Sequence, residues 1–138
     1  MITSVFARTF EKLLKKHLIR HLDENQVVSK CQHGFWKGRS TETALLTAMN
    51  DWTAAVDTKE EVHVVYFDFT KAFDKVTTGR LVNKLKHVGV HPRAVRWIEN
   101  FLDGRSYKVR IGETFSSVRQ ITSGVPQGGV LSPLLFLV

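Results

Sequence analysis

Asp68 follows directly on Val62-His63-Val64-Val65-Tyr66-Phe67, a β-branched and aromatic run with little alternation. Such a run suits a strand buried on both faces. A carboxylate at the carboxyl end of a central strand sits where open α/β sheets place their ligands. There it can bind a hard divalent cation through oxygen. The same side chain can instead cap the short turn over residues 70–75. Gly34-Phe35-Trp36-Lys37-Gly38-Arg39-Ser40-Thr41 is a second chemical segment. Two glycines, two cations and a following helix start could together hold a phosphate. It is not a P-loop: the glycine spacing is one residue short and Arg39 stands where lysine is required. Ser123-Gly124-Val125-Pro126-Gln127-Gly128-Gly129 is the third. Its glycines allow a backbone to approach a ligand, and Gln127 offers both a donor and an acceptor. A plain connecting loop is the alternative.

The histidines carry little. His17 and His21 are four apart, but Leu18-Ile19-Arg20 between them lacks the glutamate of a zinc-protease helix, so the pair reads as a solvated helix face. His87 and His91 are separated by the helix-stopping Gly89.

The elements that must position these residues follow from periodicity. Residues 4–24 read as an amphipathic helix with Phe6, Phe10, Leu13, Leu14 and Leu18 on one side. A second helix runs from about 41 to 56, capped by Ser40, with Ala44, Leu45, Ala48, Met49, Trp52 and Val56 as its apolar stripe. Residues 79–88 form a helix closed by Gly89, and Pro92 opens another that Gly104 closes. Tyr107, Val109 and Ile111 alternate as a strand, Gly112-Glu113 turns the chain, and a second strand covers about 115–121. An apolar element follows the 123–129 loop.

A chain of 138 residues with 43% hydrophobic and 24% charged residues is of ordinary globular composition, which excludes a disordered or collagen-like chain. No apolar stretch approaches the roughly 20 residues of a membrane span. Residues 1–6 lack the layout of a signal peptide, and the lone Cys31 forms no internal disulfide, so an intracellular setting is expected, nucleus and cytoplasm being undistinguished. The net charge of +7 is uneven: residues 1–40 carry +5, 41–79 carry −4 and 80–138 carry +6. An acidic middle between basic flanks suits a cation-holding site whose rim meets a polyanion, and solvated surface charge is the plainer alternative.

Taken together these motifs resemble the reverse transcriptases of non-LTR (LINE-type) retrotransposons. Val65-Tyr66-Phe67-Asp68-Phe69-Thr70-Lys71-Ala72-Phe73-Asp74-Lys75-Val76 resembles their first catalytic motif. Gln32-His33-Gly34-Phe35 with Lys37-Gly38-Arg39-Ser40-Thr41 resembles the upstream fingers motif. Ser123-Gly124-Val125-Pro126-Gln127-Gly128 with Val130-Leu131-Ser132-Pro133-Leu134-Leu135-Phe136 resembles the motif after the first acid. The resemblance implies an α/β (α+β) chain: a partial right-hand polymerase fold, with residues 1–61 fingers-like and 62–138 an incomplete palm. It implies an RNA-directed DNA polymerase lineage acting on an RNA template, a DNA primer and dNTPs with two Mg²⁺ ions, and no membrane. By resemblance Asp68 is the first metal-binding acid and the Phe69 carbonyl adds a ligand. Phe73 is the aromatic gate against a 2′-hydroxyl. Gln127, with Pro126 and Gly128, contacts the incoming nucleotide and the template. Lys37 or Arg39 neutralises the triphosphate. Asp74 occupies a family position with a structural role.

Several positions depart from the pattern. Trp36 stands for a usual arginine, Thr77-Thr78 for Pro-His and Gly129 for serine. No Asp-Asp pair occurs, although the family's next motif supplies the remaining metal acids from one. One carboxylate does not fix two Mg²⁺ ions, which bind through several oxygens. The expectation is a chain inactive alone and functional within a longer protein. A non-catalytic nucleic-acid-binding remnant and a decayed copy without function are the rival readings.

Overall fold

The computed structural model describes residues 5–138; the sequence reading of residues 1–4, including a helix start at Ser4, lies outside the described residues. Helices and short strands mix, as expected of an α/β chain. The chain divides into two compact units. One joins the described residues up to Val27 with Lys71–Val138, and the other is Val28–Thr70.

In the first unit α1 spans Val5–Glu24. Its buried residues are Glu11, Leu18 and Leu22, whereas Phe6 and Leu13 are 89% and 58% exposed. The inward stripe is therefore rotated from the one periodicity suggests, because a carboxylate takes an inward position. The helix ends around Gln26 at φ 51, where the Val27 amide bonds the Leu22 carbonyl at 2.9 Å, a left-handed cap built without glycine.

Helices α3 (Thr78–His87) and α4 (Pro92–Leu102) pack on each other and carry much of the core. Leu81, Val82 and Leu85 come from α3, and Val95, Ile98 and Leu102 from α4. Gly89 at φ 78 ends α3, and the Val90 amide reaches back to the Leu85 carbonyl at 3.0 Å. Pro92 starts α4 at a position needing no amide donor, as its sequence predicts. The Phe10 ring of α1 lies 4.8 Å from Trp97, which stacks at 5.0 Å on Phe101.

His21 corrects the solvated-face reading. It is half-buried, and its Nε2–H donates to the Val88 carbonyl at 2.8 Å, closing the end of α3 from α1. His17 is exposed, as expected.

The expected hairpin forms as two antiparallel ladders. Strand β1 (Ser106–Tyr107) pairs with β4 (Arg119–Gln120), and β2 (Arg110–Ile111) with β3 (Thr114–Phe115). Gly112 supplies the turn at φ 59. Tyr107 faces Arg119 and Arg110 faces Phe115, so the register slips by one residue between the ladders. Ser116 fills the break: its hydroxyl accepts the Val109 amide at 2.9 Å, and its own amide bonds the Val109 carbonyl at 2.9 Å. An extra residue of this kind is a bulge, and it divides the single strand expected over 115–121. The last helix, α5, is Ser132–Leu137, with Ser132, Leu134 and Leu135 buried.

In the second unit α2 spans Thr41–Asp57. Ser40 caps it as predicted: its hydroxyl accepts the Thr43 amide at 3.2 Å, and the Thr43 hydroxyl accepts the Ser40 amide at 2.8 Å. None of the α2 residues is fully buried; of the predicted stripe Ala44, Ala48 and Trp52 are half-buried, whereas Leu45, Met49 and Val56 are exposed. The strand expected over 62–67 is absent. Tyr66 and Phe67 are 84% and 89% exposed, and no described strand pairs with the segment. β-Branched and aromatic composition reports fitness for a pleated, half-buried surface, and a strand forms only where partner strands present it.

Candidate functional site

The first unit brings two of the sequence motifs together. Residues 71–76 form a turn, with Lys71 at φ 55 and the amides of Asp74 and Lys75 both bonding the Lys71 carbonyl at 3.1 Å. The 123–129 loop is laid against this turn. The Gly124 amide donates to the Val76 carbonyl at 2.7 Å and the Val125 amide to the Phe73 carbonyl at 2.9 Å. The Ser123 hydroxyl donates to the Asp74 carbonyl at 2.9 Å. The Gln127 amide nitrogen donates to the Asp74 carboxylate at 3.2 Å.

Gly124 makes the approach possible. Its φ is 89, and a Cβ there would lie 2.8 Å from the Asp74 Cα and 2.9 Å from its carbonyl oxygen. Val125 and Pro126 are buried beneath the loop, while Gln127 and Gly128 stay exposed at its tip. The side chain expected to meet a ligand is thus presented on a pinned backbone, its amide oriented by Asp74. Asp74, expected to have a structural role, holds Ser123 through its carbonyl and Gln127 through its carboxylate. Phe73 is half-buried, with its ring 5.2 Å from that of Phe136 in α5.

Two residues that sequence reading passed over hold the other sides of this loop. Arg105, half-buried after α4, donates from Nε to the Leu102 carbonyl at 2.8 Å and from its guanidinium to the Gly124 carbonyl. Burial pushes this guanidinium below its usual value through loss of hydration. Glu11, fully buried, accepts the amides of Val130 and Leu131 at 2.7 and 3.0 Å. The contacts of Arg105 with Gly124 and of Glu11 with Val130 and Leu131 have no local signal, because the partners lie 19 and about 120 residues away. Arg105→Ala leaves two carbonyls short of a charged donor, at a cost of about 2 kcal/mol. Thermal melting checks this, with Arg105→Lys expected to recover only part because an ammonium lacks the planar fork that spans two acceptors.

In the second unit Asp68 is exposed, as are Lys37 and Phe69. Arg39 is half-buried, and its guanidinium donates to the carbonyls of Gln32 at 2.6 Å and Ser29 at 3.1 Å, bracing the loop before α2. Among the described residues no group of three His, Cys, Asp or Glu side chains is placed to hold a metal ion. Asp68 and the Phe69 carbonyl are suitable oxygen donors, but these residues do not fit a two-metal centre. No helix of the described residues is long and apolar enough to cross a membrane.

A basic rim accompanies the hairpin. The Lys108 ammonium sits 4.2 Å above the Phe115 ring, with the Arg110 guanidinium 5.5 Å from the same ring. These exposed cations, with Arg119 on β4, are three of the nine basic residues of 80–138; most of the others lie on α3 and α4.

The glycine-rich loop tipped by Gln127 is thus pinned on the 71–76 turn, which follows the aromatic-Asp-aromatic residues Phe67-Asp68-Phe69 in sequence. The whole chain, residues 1–138, matches the family described as reverse transcriptase (RNA-dependent DNA polymerase), and the chain belongs to that family. It is 31% identical over 137 residues, 99% of its length, to the probable RNA-directed DNA polymerase from transposon BS of Drosophila melanogaster. It is 29% identical over 130 residues to the probable RNA-directed DNA polymerase from transposon X-element of the same species. It is 30% identical over 131 residues to the RNA-directed DNA polymerase from mobile element jockey, also of that species. The last two alignments cover 94% and 95% of the chain. The chain spans only 14–15% of the length of these relatives. No solved structure matches it. The resemblance read from the motifs is borne out.

Proposed function

We propose that this chain is the nucleotide- and template-handling segment of an RNA-directed DNA polymerase of a non-LTR retrotransposon. It contributes fingers (about residues 1–61) and part of the palm (62–138) to a right-hand fold completed by a longer protein. The observation that carries the reading is the Gln127 loop, exposed at its tip and fastened to Asp74 and the 73–76 backbone. In this role Gln127, Pro126 and Gly128 meet the incoming dNTP and the RNA template, and Phe73 lies beneath the sugar. Lys37 supplies charge to the triphosphate. Arg39 braces its own loop through Gln32 and Ser29, which favours Lys37 as the cation free to do so. Asp68 and the Phe69 carbonyl contribute donors to a Mg²⁺ site whose other ligands this chain does not supply. The basic hairpin follows the primer–template backbone.

The 138-residue chain alone is accordingly expected to extend no primer, with Mg²⁺ or Mn²⁺ present. It binds a recessed RNA–DNA duplex with an affinity that falls steeply with salt. Purified chain is assayed for primer extension and, by anisotropy, for duplex binding between low and moderate salt. Binding indifferent to salt and to Gln127→Ala would overturn the proposal. A non-catalytic nucleic-acid-binding role is the second reading, favoured by the lone carboxylate and the +7 charge. It predicts that grafting this segment into an active relative's polymerase leaves no primer extension, where the first reading predicts retained synthesis.

A further inference from the structure

Glu11 is fully buried, yet it lies on α1, outside every motif discussed above. One oxygen, Oε2, takes both the Val130 and Leu131 amides. These amides lead into α5, where Leu131, the residue in the capping position, has no side-chain cap of its own. The other oxygen, Oε1, is buried without a hydrogen-bond partner, as is the Ser132 hydroxyl. Both residues crowd Gly129. A Cβ at that position would lie 2.6 Å from the Ser132 Oγ, 3.1 Å from the Pro126 carbonyl and 3.4 Å from the Glu11 Oε2. Gly129 thus gives the carboxylate access to the two amides beyond it. A buried carboxylate is costly, and it persists where hydrogen bonds to the charge offset the lost hydration.

We infer that Glu11 is a positioning residue for the Gln127 loop. It anchors the loop's downstream end from α1, as Asp74, Val76 and Phe73 anchor its upstream end and tip. The functional part of this inference rests on the nucleotide-and-template reading of that loop. The loop has fixed ends on both sides of Pro126-Gln127-Gly128, so the tip has one backbone path. Releasing Val130 and Leu131 frees the downstream strand of the loop and, through it, the orientation of Gln127. Glu11 itself touches no ligand in this arrangement.

The test is residue-level amide hydrogen exchange on the 138-residue chain, comparing wild type, Glu11→Gln and Glu11→Ala. Glutamine keeps one oxygen at the Oε2 position, and exchange at Val130 and Leu131 rises by no more than about threefold. Alanine removes it, and exchange at both amides rises by about tenfold or more, as expected for lost bonds to a charged acceptor. The rise extends to Gly124 and Val125, while Leu85 and Ile98 in α3 and α4 keep their protection. Unchanged exchange at Val130 and Leu131 in Glu11→Ala overturns the inference. So does a loss confined to those two amides, which makes Glu11 a local cap only. Should alanine also release Leu85 and Ile98, Glu11→Asp keeps a carboxylate one methylene short of the amides. It is read the same way, with the same outcomes deciding. Anisotropy with the recessed RNA–DNA duplex tests the functional side: Glu11→Ala weakens binding as much as Gln127→Ala does, and Glu11→Gln restores it. A wild-type chain that fails to bind the duplex overturns the polymerase reading of the loop, whereas the exchange result decides the role of Glu11 independently.

Discussion

Gly124→Ala lowers the melting temperature of this chain by roughly 10 °C, a loss of about 3 kcal/mol. Two effects add. The first is backbone strain, since φ is 89 and an L side chain is disfavoured there by about 1–2 kcal/mol. The second is overpacking against main chain: the Cβ would meet the Asp74 Cα at 2.8 Å and the Phe73 carbonyl at 3.0 Å. Backbone atoms cannot swing away as a side-chain terminus can, so the 123–129 loop must lift from the 73–76 turn. Lifting breaks the bonds from Gly124 to Val76 and from Val125 to Phe73. Gly104→Ala is the control, because φ there is 63 and a Cβ meets nothing within 4 Å. It isolates the dihedral cost and is expected to lower stability by about 1 kcal/mol. Equal melting temperatures for the two variants would show that the loop does not rest on the turn.

Phe73→Val, placed in an active polymerase carrying this segment, shifts substrate choice from dNTPs toward rNTPs. In the proposed role the ring excludes a 2′-hydroxyl by contact, so shortening it admits the ribose without removing any hydrogen bond. The ring also packs at 5.2 Å against Phe136, and a smaller side chain forfeits part of that contact. Complete truncation of a buried aromatic costs about 3–5 kcal/mol, and this half-buried ring reduced to valine sits below that range. The melting temperature therefore falls moderately under either role. The discriminating quantity is the ratio of kcat/KM for rNTP and dNTP, which a purely packing role leaves unchanged. A folded Phe73→Val polymerase with an unaltered ratio removes Phe73 from the nucleotide site.

What was legible in the sequence was local. Ser40, Gly89, Pro92 and Gly112 declare a cap, a stop, a start and a turn, because each acts through dihedral angles or amides within a few residues. Three motifs in order carry the family resemblance in the sequence alone, since residue types at fixed spacing survive even where 31% identity remains. The helix ends at Gln26 and Lys59, at φ 51 and 60, carry no such signal, because neither residue type announces a left-handed conformation.

Tertiary structure decided the rest. The run 62–67 has the composition of a strand, but pairing requires a second backbone, and no described strand provides one. Hydrophobic periodicity put Phe6 and Leu13 on the apolar side of α1 and gave no signal at Glu11. The fold exposes Phe6 and Leu13 and buries Glu11, because two amides near the start of α5 offer the carboxylate what water would otherwise give. Arg105 and Asp74 likewise find the Gly124 carbonyl and the Gln127 amide only when the chain returns to them. Residue types at fixed spacing carry the family resemblance; contacts across the length of the chain determine where the loop that carries Gln127 is held. A sequence records propensities that act between neighbours, whereas the partner of a buried polar group is chosen by the whole fold.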